Sequence, residues 1–231
     1  MGYAGVIFDL DGTLVDTLDD LADSVNEALS QLGYPEHAVG DYKLKVGRGF
    51  RNLIESSLPD GTDEQTADAC LELFVKAYDR RYLDKSRPYE GIVGLLGELA
   101  ADGVLMGINS NKRTDYTQKI AQTLFPQISF SAVIGERAGV PRKPDPTGAL
   151  EICGAMGLDR SDILYVGDSS TDMKTGKNAG LDTVGVAWGF RGPAELRENG
   201  ADLIAYSIDD VRDAVRNGIG PAHAGADADI L

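Results

Sequence analysis

The chain has 231 residues, 42% of them hydrophobic, and a formal net charge of −15. That length suits one large domain or two modest ones, and the apolar share excludes global disorder. The acidity argues against a nucleic-acid or anionic-membrane surface and means that an anionic substrate needs a local cationic site.

The first predicted element is a strand. Val6, Ile7 and Phe8 form a short apolar, β-favouring run of the kind buried in a parallel sheet. Asp9 and Asp11 follow, two residues apart, with Gly12 and Thr13 directly after. A helix is expected from Thr17, a good N-cap, with Asp19 and Asp20 at the positive end of its dipole. Gly33 and Pro35 end it. A second amphipathic stretch covers 36–44, and Gly47-Arg48-Gly49 breaks the pattern. A short helix over 50–58, a turn at Asp60-Gly61 and a long helix over 63–83 follow. Residues 17–87 therefore read as a helical block without a strand, placed to act as a lid over the end of the first strand.

From Glu90 the pattern alternates. Helices are expected over 90–101, 113–124, up to 156, 171–179, 194–198 and 208–216. Strands are expected over 104–109, 132–134, 163–166, 183–187 and 203–205. Alternation of this kind predicts an α/β fold with a parallel sheet covered on both faces. The division is a core of 1–16 and 88–217, a helical cap of 17–87 and a flexible tail of 218–231. Cys70 and Cys153, far apart and without Cys-x-x-Cys spacing, read as buried reduced thiols. The N-terminus has no basic region followed by a long apolar stretch, so no signal peptide is expected. No segment approaches ~18 uninterrupted apolar residues, so no membrane span is expected and the cytoplasm is the default location.

The chemistry is expected where strands end, because open α/β sheets bind ligands at the carboxyl ends of their strands. Residues two apart in an extended chain point the same way, so Asp9 and Asp11 can share one site. Two close carboxylates repel unless a divalent cation or a proton separates them. Either condition suits phosphoryl transfer, with one carboxylate as nucleophile and the other as general acid and base. The plainer alternative is a polar turn with a capping Asp. Ser110 reads either as a helix N-cap or as a hydroxyl donor to phosphate. Lys143, between Pro141 and Pro144, can supply fixed positive charge to a phosphoryl group, and Arg142 beside it is the other candidate. Asp168 occupies the same strand-end position as Asp9 and is the preferred third oxygen ligand for Mg²⁺. Asp172 reads also as a first-turn acidic residue of the next helix.

The set Asp9-x-Asp11-Gly-Thr, Ser110-Asn111, Lys143-Pro-Asp-Pro and Gly-Asp168-x-x-x-Asp172 resembles the haloacid dehalogenase superfamily. Its order and spacing are similar to those of the phosphoglycolate phosphatase-like members with a helical cap. The resemblance implies a Rossmann-like core and a movable four-helix cap. It implies Asp9 as nucleophile through an aspartyl-phosphate, Asp11 as general acid then base, and Ser110, Asn111 and Lys143 on the phosphate. It implies Mg²⁺ held by the Asp9 side chain, the Asp11 carbonyl and Asp168, with Asp172 in support. Asp11 favours phosphoryl transfer over dehalogenation, because an alkoxide leaving group must be protonated. In the cap, Lys43, Lys45, Arg48 and Arg51 form a basic cluster. Lys45, Arg48 and Arg51 are the candidates for holding a carboxylate such as that of 2-phosphoglycolate, against a solvated helix face. The expected activity is hydrolysis of a small phosphorylated metabolite by a monomer or homodimer, with no nucleic-acid or membrane partner. The alternatives are a sugar-phosphate mutase of the same fold and a non-catalytic binding module.

Overall fold

A computed structural model describes residues 2–220. In chain order, β1 (Gly5–Phe8) and β2 (Val15–Asp16) lead into α1 (Leu18–Gln31) and a 3-10 helix, Val39–Leu44. Then come α2 (Phe50–Glu55), α3 (Glu64–Arg81), β3 (Arg87–Pro88) and α4 (Ile92–Ala101). The alternation continues through β4 (Leu105–Arg113), α5 (Thr114–Leu124), β5 (Ala132–Glu136), α6 (Thr147–Met156) and β6 (Ile163–Gly167). It closes with α7 (Ser170–Ala179), β7 (Asp182–Val186), α8 (Pro193–Glu198), β8 (Leu203–Ala205) and α9 (Ile208–Asn217). Six strands pair in parallel in the order β5-β4-β1-β6-β7-β8. This is the expected Rossmann-like α/β sheet, with helices inserted after the first strand.

β1 sits at the centre because both its faces are apolar. Val6 and Phe8 pack on one side with Leu95, Leu99 and Val211, while Ile7 packs on the other with Ala149 and Ile152. Side chains alternate across a strand, so three consecutive apolar residues bind two helical layers at once. Cys70 and Cys153 are free and buried. Among the described residues no helix is long and apolar enough to cross a membrane.

The inserted helices have their own core of Leu21, Val25, Leu29, Phe50, Phe74 and Tyr78, which also takes in Tyr116 of α5 and Phe190. Tyr116 lies 5.1 Å from the Tyr78 ring and donates to Asp79 Oδ1 at 2.6 Å. Aromatic packing thus ties the insertion to the sheet domain.

Four expectations change. The stretch 36–44 forms only the short 3-10 helix, because Tyr42 is its one buried residue and Leu44 is 78% exposed. The insertion is not strand-free: Val15 pairs with Pro88 and Asp16 with Arg87 in an antiparallel ribbon at its base. Two-residue strands carry no periodicity to read. The first strand of the chain's alternating half was expected to end at Asn109, but β4 runs on to Arg113 and carries Ser110, Asn111 and Lys112 within it. Thr17 makes no side-chain cap for α1; its hydroxyl is used elsewhere. Of the expected 218–231 tail, only 218–220 fall within the described residues.

Candidate active site

Asp9 follows β1 directly, and its N–H donates to the Val166 carbonyl of β6 at 2.9 Å, which continues the ladder. Its side chain is thereby fixed at the sheet's carboxyl edge. Asp9 Oδ1 accepts from the Leu10 N–H at 2.7 Å and lies 2.9 Å from Lys143 Nζ. Lys143 Nζ also meets Asp172 Oδ1 at 2.6 Å and the Asn109 carbonyl at 2.9 Å. Its three N–H donors thus have three acceptors. Asn111 holds Lys143 from behind: Oδ1 accepts from the Lys143 N–H at 2.9 Å, and Nδ2 donates to the Lys143 carbonyl at 3.1 Å. The same Nδ2 donates to the Gly47 carbonyl at 3.0 Å. Both donors of the Asn111 amide are therefore engaged with backbone. Arg142 turns the other way, to Glu136 at 2.6 Å and the Arg48 carbonyl at 3.1 Å.

Asp172 does two jobs. Oδ2 accepts from the Ser169 N–H at 3.1 Å and the Ser169 hydroxyl at 2.6 Å, closing a capping box on α7. Oδ1 remains for Lys143. Asp168, 2% exposed, accepts from the Phe190 N–H at 2.7 Å through Oδ2. Two glycines make room for it. A Cβ on Gly12 would lie 2.2 Å from Asp168 Oδ2, and one on Gly189 would lie 2.3 Å from Asp168 Cβ. Gly12 also has φ +87°, a region that other residues enter at a cost.

Oxygens of Asp9, Asp168 and Asp172 lie within 4.8 Å of one another. Burial and the Asp172 charge push the Asp9 carboxyl up to about 7, against the pull of Lys143. Burial, Asp172 and Asp9 push Asp168 well above the usual carboxylate range. Burial draws the Lys143 ammonium down, but Asp172 and Asp9 outweigh it and hold it well above its ordinary value. Three buried carboxylates facing one ammonium leave uncompensated negative charge. A hard, all-oxygen donor set with surplus negative charge fits a divalent cation of the Mg²⁺ class.

Asp11 lies apart from this cluster. Its Oδ1 accepts from the Thr17 hydroxyl at 2.6 Å and from Lys112 Nζ at 2.6 Å. The two strand-end carboxylates therefore have different cations, Lys143 for Asp9 and Lys112 for Asp11. Ser110 is buried in β4, four residues before α5 begins, so it is no N-cap; its Oγ accepts from the Lys112 N–H at 3.2 Å.

Asp9, Asp11, Ser110, Asn111 and Lys112 form the floor of a cavity. Leu21, Val46, Phe50 and Leu53 of the insertion roof it. Its volume is about 20 Å³, room for about one water, so the insertion stands closed over the site. The basic cluster expected to read the substrate is not brought there. Arg51 is tied to Glu55 at 2.5 Å and to Asp68, Lys45 donates to the Ser56 carbonyl, and the Arg48 side chain is exposed. The reason is local. Gly47 and Gly49 adopt φ +111° and +86°, and the loop they turn offers its backbone to the core. Sequence reasoning passed over Lys112. One signal was present: Lys112 directly follows Ser110 and Asn111, the pair already singled out at that strand end.

A family model described as haloacid dehalogenase-like hydrolase matches residues 6–186. The phosphoglycolate phosphatase of Caulobacter vibrioides is 35% identical over 212 residues, covering 90% of this chain and 89% of that protein. The phosphoglycolate phosphatase of Psychrobacter arcticus is 31% identical over 200 residues, covering 84% and 87%. Among solved structures, a protein from Lactobacillus delbrueckii subsp. bulgaricus superposes with a TM-score of 0.88 at 30% identity, covering 93% of this chain and 99% of that one.

Proposed function

Because the chain belongs to the haloacid dehalogenase-like hydrolases, we propose that it is a phosphatase that uses Asp9 as nucleophile on a small phosphate monoester. The observation that carries this reading is the pair of strand-end carboxylates with separate partners: Asp9 against Lys143 at 2.9 Å, and Asp11 against Lys112 and Thr17 at 2.6 Å. Groups two residues apart with different surroundings can take opposite roles in acid–base chemistry.

In the proposed sequence, an Asp9 oxygen attacks phosphorus as the ester P–O bond breaks. Asp11 gives its proton to the departing alkoxide, which leaves as the alcohol. Asp11, now a carboxylate, takes a proton from water as that water attacks the phosphoryl group on Asp9. Inorganic phosphate and free Asp9 result. Ser110 and Lys143 supply the hydrogen bond and the charge that hold the phosphoryl oxygens. Asn111 contributes by clasping the Lys143 backbone. Asp9, Asp168 and the Asp11 carbonyl would hold Mg²⁺, with Asp172 in support. The ion would supply positive charge to the phosphoryl oxygens. Residues 17–87 serve as the cap that excludes water, on a core of 1–16 and 88–217.

The substrate we assign is 2-phosphoglycolate, the ester named for relatives at 31–35% identity over most of the chain. Phosphate release from a panel of esters, in Mg²⁺ and in EDTA, tests the reading on wild type and Asp9→Asn. Release that needs both the metal and Asp9, greatest with phosphoglycolate, is the expected result. Isomerisation of a sugar phosphate without release would instead make the protein a mutase. No turnover of any ester would overturn both.

A further inference from the structure

We propose that Lys112 receives a carboxylate on the substrate and so selects short phosphate esters that carry a second anionic group. This rests on the phosphate-ester reading above and names the feature of the ester that the closed chamber reads. The side chain of Lys112 is 1% exposed, and Lys112 is the one basic residue lining the cavity among the described residues. An ammonium has three N–H donors, and among the described residues this one makes a single hydrogen bond, to Asp11 Oδ1 at 2.6 Å. On its other sides it meets the cap's aromatic rings, with centroids at 5.3 Å for Tyr78 and 6.0 Å for Phe50. A ring face attracts the charge but offers no lone pair in the manner of a carbonyl or carboxylate. A buried cation with donors left over, facing a cavity, is a receptor for an anion.

Lys143 and the cap cations Arg51 and Lys45 are committed elsewhere. Lys143 has an acceptor for each of its donors: Asp9, Asp172 and the Asn109 carbonyl. Arg51 and Lys45 have partners away from the cavity. The roof over Lys112 is apolar, with Leu21, Val46 and Leu53. A carboxylate brought under such a roof loses its water and is tolerated only beside a paired charge. The site therefore offers two anion positions a short distance apart, a phosphoryl position at Asp9 and Ser110 and a carboxylate position at Lys112. The smallness of the chamber requires a short spacer between them.

The probe pair is 2-phosphoglycolate and ethyl phosphate, which differ by a carboxylate in place of a methyl group. The readout is the ratio of their kcat/KM values in wild type, Lys112→Met and Lys112→Arg. Lys112→Met is expected to lower the ratio about 100-fold, mainly through KM for phosphoglycolate, and Lys112→Arg to keep most of it. A ratio unchanged while both values fall would overturn the proposal, since Lys112 would then serve Asp11 alone. Circular dichroism checks folding, and Lys112→Gln replaces the Met variant should that one unfold. A second arm needs no turnover: calorimetric binding of phosphoglycolate to Asp9→Asn protein, with and without Lys112→Met. About 100-fold weaker binding in the double variant supports the assignment even if wild type hydrolyses neither ester, in which case only the phosphatase reading fails. Equal binding in both proteins, or none in either, overturns the assignment whatever the activity.

Discussion

Replacing Asp9 by Asn is expected to stabilise the metal-free protein while removing its activity. Burial and the Asp172 charge, opposed by Lys143, raise the Asp9 carboxyl from the usual 3.8 to about 7. Between those two pH values the folded protein holds a proton that the unfolded chain has released. Stability therefore falls as pH rises across that window. Each unit of pKa shift is worth about 1.4 kcal/mol, so the full loss is about 4 kcal/mol. It is absent below pH 4 and complete just above pH 7. An Asn side chain has no such titration. The variant should exceed wild type by about 4 kcal/mol at pH 8 in EDTA, or about 10 °C in Tm for a chain of this size. The gap should close as the pH approaches 4. Urea and thermal denaturation of both proteins from pH 4.5 to 8 would measure it. Adding Mg²⁺ should narrow the gap at pH 8, because an ion that binds only the folded, ionised cluster stabilises wild type by mass action. A variant less stable than wild type at pH 8 in EDTA would refute the reasoning. So would a gap that does not change with pH.

Gly12→Ala should weaken Mg²⁺ binding about 10- to 100-fold, because its Cβ would lie 2.2 Å from Asp168 Oδ2 and its φ is +87°; Mg²⁺ titration calorimetry with unchanged affinity would contradict this. Arg191→Ala should loosen the closed cap, since Arg191 Nη2 donates to the Leu44 and Val46 carbonyls at 3.3 and 3.1 Å. Losing about 1.4 kcal/mol of hydrogen bonding predicts about 10-fold faster amide exchange over 44–49, and an unchanged exchange rate there would show that the loop is held by its other contacts.

That loop shows how local and tertiary information divide. Three side chains of the sheet domain, Asn111, Arg142 and Arg191, donate to carbonyls of Leu44, Val46, Gly47 and Arg48. The recipients are backbone groups, which every residue carries, so no residue type announces the contact. Sequence reading could see only the basic side chains of that loop and sent them to the substrate. The glycines on either side of Arg48 do bring the loop to the core, but main chain first.

The sequence by itself determined the α/β class, because an apolar run of strand length and the helical periodicities after it are local properties of the chain. It also determined which residue types stand at the strand ends, and four such sets in one order are specific enough to identify the family. Which carboxylate meets which cation was decided only by tertiary structure. Lys112 and Lys143 are 31 positions apart and look alike as residues, yet one reaches Asp11 and the other Asp9 and Asp172. The same holds for Thr17, whose type suits a helix cap and whose hydroxyl goes to Asp11. Periodicity and capping act between near neighbours, whereas ion pairs and cavities form between segments that only the folded sheet brings together.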